Sequence, residues 1–347
     1  MGAAVALSNT PLNRTKPRES GRNQEAQRGS GPGCMIKQQL RLCRLTANRS
    51  TDERGSMTDD LCDRIKAGQQ TWASDRGLAF DSRGYCESCT ANLFEPLTAC
   101  SLRDIERGDG AELGIGNAKG KIQALHSSTA LACNVFDYWR GRNLAVLRKG
   151  FGLSTRLCGL AFEQKFPTGA GGSANLDVVL YGCDGTIFAI ESKFTEPFKR
   201  SKNKCFLKPK YFPPDRSLWK DTGLPGCQVV AENLRDGVLR FETLDAAQLL
   251  KHMLGLGRSR LSWNLMCIWY APGGQLSNLH SEELATFSRA LGVDSQRFRA
   301  MTYQDLFRNL ELGPEDADYM AYLQTRYFAG ALSNKALNAT GAGAPAR

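Results

Sequence analysis

Between Asn175 and Phe194 the chain reads NLDVVLYGCDGTIFAIESKF, two apolar runs separated by Asp184-Gly185. An Asp-Gly pair between such runs is a strong local signal for a β-hairpin, because glycine accepts the positive φ that a tight turn demands. Successive side chains on a strand alternate between faces, so Asp177, Val179 and Tyr181 fall together, as do Ile187, Ala189, Glu191 and Lys193. Folding the strands about Asp184 sets Tyr181 opposite Ile187, Val179 opposite Ala189 and Asp177 opposite Glu191. Those two acids then stand about 5 Å apart at Cβ. A slip of one residue would separate them, so turn geometry decides the matter.

Two carboxylates at that spacing repel each other and raise one pKa unless a cation lies between them. A hard divalent ion resolves the conflict. Mg²⁺, with Mn²⁺ as the alternative, binds through one or two carboxylates plus waters and phosphate oxygens. Such an ion lowers the pKa of bound water and offsets charge developing on a phosphodiester. Lys193, on the same face as Glu191, is placed to orient the attacking water or to stabilise the transition state. Asp177, Glu191 and Lys193 thus supply the parts of metal-assisted phosphodiester hydrolysis within seventeen residues.

Glu-x-Lys alone carries little information, and a second copy occurs at Glu163-Gln164-Lys165. Its nearest upstream acid is Asp137, on an expected helix. The competing explanation for the first copy is a solvated hairpin face with a surface Glu–Lys arrangement. Ile187, Ala189 and Val179 on that face favour semi-burial and a site.

The flanking pattern gives the fold class. Leu131, Ala132, Val135, Phe136 and Trp139 recur at helical spacing, with Ser127 or Ser128 suited to the N-cap. Strands are expected at about 160–166, 176–181, 186–194 and 265–271. A helix is expected at 244–255 with Thr243 as its cap, and helical patterns fill 280–328. The order helix, three strands, helix, strand describes an α/β core with extra helices. The chain divides into 1–56, a basic and disordered arm or a mis-assigned extension before Met57 (or Met35); 57–125, an accessory region; 126–275, the core; 276–330, C-terminal helices; and 331–347, a flexible tail.

That order, with Asp on one strand and Glu-x-Lys on the next, resembles the PD-(D/E)xK nuclease superfamily, which has a restriction-endonuclease-like fold. HSSTALACNVF, FEQKFPTGAGGSANLDVVL and ESKFTEPF resemble bacterial restriction-endonuclease-like proteins more specifically. The resemblance covers about residues 126–271 and departs from the superfamily at Leu176, where Pro is usual. It implies Asp177 and Glu191 as metal ligands and Lys193 as the catalytic lysine. The superfamily often adds a Glu from the first core helix; here that helix offers only Asp137, and Glu163 on the first strand is the substitute, with a structural ion pair as its other reading. Gln248 fits the superfamily's Gln-x-x-x-Tyr pattern, although position 252 is His. Gln248 as a plain helix-surface residue is equally compatible.

The implied activity is Mg²⁺-dependent DNA cleavage by a restriction-like endonuclease. A repair, recombination or phage-defence nuclease is the near alternative, and a catalytically idle nucleic-acid-binding module the distant one. Double-strand cutting with one site per chain favours a homodimer, and restriction implies a cognate methyltransferase as a separate protein.

Charge supports this only locally. Of the formal +10, residues 1–56 supply +6, from ten basic and four acidic side chains. Closer to the candidate site, Lys199, Arg200, Lys202, Lys204, Lys208 and Lys210 follow Glu196 without an acid among them, a loop suited to DNA phosphates. Phe206, Tyr211 and Phe212 are interleaved and suited to base stacking.

Other chemistries lack their signatures. Three histidines, His126, His252 and His280, show no paired metal spacing. Residues 114–121 lack the first glycine and final Ser/Thr of a phosphate loop. Gly-x-Ser-x-Gly is absent. Cys86 and Cys89 form a lone CxxC, read as packed thiols more readily than as zinc ligands. Twelve scattered cysteines and the lack of a long apolar run suggest a cytoplasmic protein with no membrane span.

Overall fold

A computed structural model of the chain describes residues 51–108, 110–116, 118–199 and 205–328. Helices α1 (Thr51–Ser74), α2 (Ala99–Glu106), α3 (Ser128–Phe136) and α4 (Ala145–Gly150) precede a five-stranded sheet. Its strands lie in chain order: β1 (Leu157–Pro167), β2 (Ser173–Gly182), β3 (Ile187–Lys193), β4 (Trp263–Trp269) and β5 (Phe298–Thr302). Helices α5 (Pro225–Arg235) and α6 (Ala246–Arg258) fill the β3–β4 connection, and α7 (Gln275–Ala290) the next. Helices α8 (Tyr303–Asn309) and α9 (Ala317–Tyr327) end the described chain. The architecture is mixed α/β.

β1, β2 and β3 form an antiparallel meander, whereas β3–β4 and β4–β5 are parallel. A parallel neighbour needs a long crossover, and here helices provide it. β3 is consequently the central strand. Ile187, Phe188, Ala189 and Ile190 are all buried, as a strand covered on both faces requires. Helix α3 packs on β2 and β3, and α6 packs across β1, β2 and β4. Ser127 caps α3 by accepting the Ala130 N–H at 3.2 Å.

The hairpin turns at Asp184-Gly185, where Gly185 has φ +83°. Its register pairs Tyr181 with Ile187, Leu180 with Phe188, Val179 with Ala189 and Val178 with Ile190. This is the alignment the turn dictates.

Four expectations are corrected. The segment expected to be helical throughout 280–328 contains β5; this strand has five residues, FRAMT, too short and too polar to announce itself. Helix α1 begins at Thr51, so the disordered arm expected over 1–56 overreaches by six residues, and the remainder of that arm lies outside the described residues. Asp245, not Thr243, caps α6, accepting the Gln248 N–H at 2.8 Å. The Thr243 hydroxyl is diverted to Glu283 and to His280 Nδ1. Tyr211, expected to face bases, is buried beside Trp219.

Cys86 is buried in an apolar cluster with Trp72, Ala73 and Leu125. Among the described residues, no helix is long and apolar enough to cross a membrane.

Candidate active site

The hairpin ladder stops at Val178–Ile190, so Asp177 and Glu191 are the first positions beyond its last rung. There the Asp177 carboxylate turns inward and accepts the Ser192 N–H at 2.6 Å. Burial pushes the Asp177 carboxyl well above the usual carboxylate range, and the Glu191 charge pushes it the same way. Lys193 and the Ser192 N–H work in the opposite direction.

Glu191 is 1% exposed. Lys193 Nζ donates to Glu191 Oε1 at 2.6 Å and to Gln248 Oε1 at 2.8 Å. On the other side, His252 Nε2 lies 2.8 Å from Glu191 Oε2, an ion-pair distance without hydrogen-bond alignment. Burial opposes ionisation of Glu191, but Lys193 and His252 outweigh it and hold the group at about 2. Burial also opposes the Lys193 charge, yet Glu191, Asp177 and Glu196 keep it above the ordinary lysine range. Glu191 and Lys193 are therefore charged, and Asp177 is the strained member.

His252 is the residue that sequence reasoning missed. Gln248 and His252 are one helical turn apart, so α6 presents both on one face, the first to Lys193 and the second to Glu191. That spacing was visible in the sequence; read against a Tyr pattern, the histidine looked like a departure.

Glu163 lies at the position of β1 that faces Asp177 on β2, between the pairs Phe162–Val178 and Gln164–Leu176. Its φ of +51° is rare for a non-glycine residue and interrupts the ladder there. Asn175 donates to the Glu163 carboxylate. Burial, followed by the Glu112 charge, lifts that group to about 7, and the Asn175 bond opposes the shift. Glu163, Asp177 and Glu191 thus occupy successive positions across three strands. Lys165 is exposed on β1.

Of the basic loop, Lys199, Lys208 and Lys210 are exposed, whereas Arg200, Lys202 and Lys204 lie outside the described residues. Phe206 is 62% exposed. A cleft of about 340 Å³, lined by Lys193, Glu196, Lys199, Asp245 and Gln248, gives solvent a path to the lysine. A larger cleft of about 630 Å³ between Trp139, Arg142 and Asp316 contains none of these groups.

Among the described residues, no three His, Cys, Asp or Glu side chains are grouped to hold a metal ion. The donor set nevertheless suits a hard cation that takes one or two carboxylates and completes its shell with water. Half-buried Asp177 and buried Glu191 are acids in mutual repulsion, the situation such an ion relieves.

Comparison with curated proteins and with solved structures finds no match. A family model described as Restriction Endonuclease associating with ARP matches residues 66–328, three quarters of the chain, and the protein belongs to that family.

Proposed function

We propose that the protein is a PD-(D/E)xK nuclease that hydrolyses DNA phosphodiester bonds with Mg²⁺, acting as a restriction-like endonuclease. One observation carries the reading: an acid pair, Glu191 buried and Asp177 half-buried, at the end of a hairpin ladder, with a lysine held between Glu191 and Gln248. Asp177 and Glu191 would hold the ion, which when bound acidifies water and offsets phosphate charge. Lys193 offers its ammonium to the phosphate oxygens, where developing charge is greatest. Gln248 fixes the lysine's direction, and His252 fixes the Glu191 carboxylate from behind. Glu163, with its carboxyl near 7, supplies a group that holds or releases a proton at neutral pH beside Asp177. Lys199, Lys208 and Lys210 contribute to phosphate contact. A homodimer and a separate methyltransferase belong to the same reading.

Supercoiled plasmid incubated with Mg²⁺ tests it. The parent chain nicks or linearises the plasmid, and Asp177→Ala and Lys193→Ala lower the rate by about 10³ while still retarding DNA in gels. Lys165→Ala should cut normally. A Lys193→Ala variant that cuts at the parental rate would sink the assignment, as would a parent that binds DNA but never cuts it.

A further inference from the structure

The tip of the β1–β2 hairpin reads Thr168-Gly-Ala-Gly-Gly172. Three of its residues take positive φ, Gly169 at +73°, Gly171 at +69° and Gly172 at +138°. Thr168 fixes the turn: its N–H and hydroxyl both donate to Gly172 O, at 3.0 and 2.8 Å, and its side chain is buried. Two cations from distant parts of the chain close on this bare backbone. Lys210 Nζ donates to Gly171 O and lies over the Tyr211 ring, 5.4 Å from its centre. Arg258, at the end of α6, packs its guanidinium so tightly on Gly169 that a Cβ there would come within 2.5 Å of Cζ. Both side chains are exposed, and among the described residues neither is paired with an acid.

Two positive groups gathered on one rigid turn without a counter-charge call for an anion. The guanidinium offers a planar fork of donors and the ammonium a point charge, a combination that matches phosphate oxygens. Phosphate could come from a nucleic-acid backbone or from solution. The position in the fold favours the backbone: the tip's last residue, Gly172, is five residues from Asp177 along the strand, at about 3.3 Å per residue. That is about 17 Å, or about five base-pair steps of duplex.

We propose that the hairpin tip, with Arg258 and Lys210, is a clamp for a DNA backbone phosphate a few base pairs from the scissile bond. The inference rests on the nuclease reading and adds to it a contact outside the chemical site. Glycine at 169 and 171 is then a requirement of the clamp, since side chains there would displace the guanidinium or strain the turn.

The test measures duplex binding in the Lys193→Ala background across a salt series, with Arg258→Gln, Lys210→Gln and both together. Each single change should weaken binding threefold to tenfold, and each should lower the slope of log K against log salt by about one. Melting curves of these surface variants should match the parent. Unchanged affinity and slope in the folded double variant would overturn the clamp while leaving the nuclease reading intact. Inorganic phosphate that binds the parent and not the double variant, while duplex affinity and salt slope are the same in both, would mean a site for free phosphate and also overturn it. A parent chain that fails to bind duplex DNA would take both readings down together.

Discussion

Lys193 is a half-buried cation with 16% of its side chain exposed and Arg326 a buried one, 4% exposed overall, and their surroundings differ in kind. Arg326, on α9, is paired with no acid among the described residues. Its five donors are taken up by Gln69 Oε1, the Asn92 and Leu125 carbonyls, Asn92 Oδ1 and the Tyr322 hydroxyl. Trp72 and Tyr327 lie against its charge at 4.4 and 4.8 Å. Every bond is made, and the network ties α1, the segment around Asn92 and α9 into one body. The Lys193 cluster is unfinished by comparison. It brings two acids together at the cost of an elevated Asp177 pKa, and it leaves Glu191 Oε2 and both His252 nitrogens without an aligned hydrogen bond. A fully satisfied buried polar network stabilises and specifies a structure, whereas one that holds strain is reserved for chemistry.

The sharpest way to break the contrast is Arg326→Ala. If the arginine is structural, its loss strands several buried acceptors and destabilises the fold by about 3–5 kcal/mol, read from denaturant midpoints. A loss below about 1 kcal/mol would mean that the network does not bind the accessory region to the C-terminal helix.

His126 follows Leu125, whose carbonyl Arg326 binds. Burial, followed by the Lys199 and Lys66 charges, holds its ring down at about 4 against an ordinary 6.5. The folded state therefore keeps this ring neutral where the unfolded chain would protonate it. Its contribution is complete above pH 6.5 and is lost as pH falls through 4, by about 2 kcal/mol after allowance for partial exposure. His126→Gln should flatten that limb of the stability curve. An unaltered acid limb in the variant would show that other groups govern it.

Asp177→Asn probes the strained side. A carboxyl whose folded pKa is raised subtracts stability as pH climbs from its ordinary range. The amide keeps an acceptor for the Ser192 N–H while removing the charge. At neutral pH and without divalent ions the variant should be about 1–2 kcal/mol more stable than the parent, with the gain vanishing near pH 4. It should not cut. Destabilisation at pH 7 would show that the acid pair is not strained.

This contrast was only partly legible in the sequence. Asp184-Gly185 and the apolar runs beside it fixed the hairpin, and with it the pairing that brings residues 177 and 191 to the same level. Local signals suffice there because the register follows from one turn. Glu163 was visible as an acid on a strand, but its left-handed backbone was not, since nothing in FEQKF marks one residue for positive φ. The Arg326 network was invisible for a different reason. Its partners come from residues 69, 92, 125 and 322, and no periodicity links contacts made at such separation. β5 escaped because a short edge strand has little apolar pattern to read.

The smallest expected effect is the most specific. If strain at Asp177 exists to be relieved by a cation, Mg²⁺ should stabilise the folded chain and leave the Arg326 network untouched. At ten times its dissociation constant an ion that binds only the folded state adds about 1.4 kcal/mol, which for a chain of this size raises Tm by about 2 °C. Asp177→Asn and Glu191→Gln should abolish the shift, because each removes a ligand. Lys193→Ala should retain it, because the role proposed for the lysine is to hold phosphate charge and not the ion, even though the variant should not cut. That dissociation separates a metal site from a general loss of charge around Glu191. A shift that survived in Asp177→Asn, or that vanished in Lys193→Ala but not in Asp177→Asn, would place the ion elsewhere and return the acid pair to the status of an internal strain without a use.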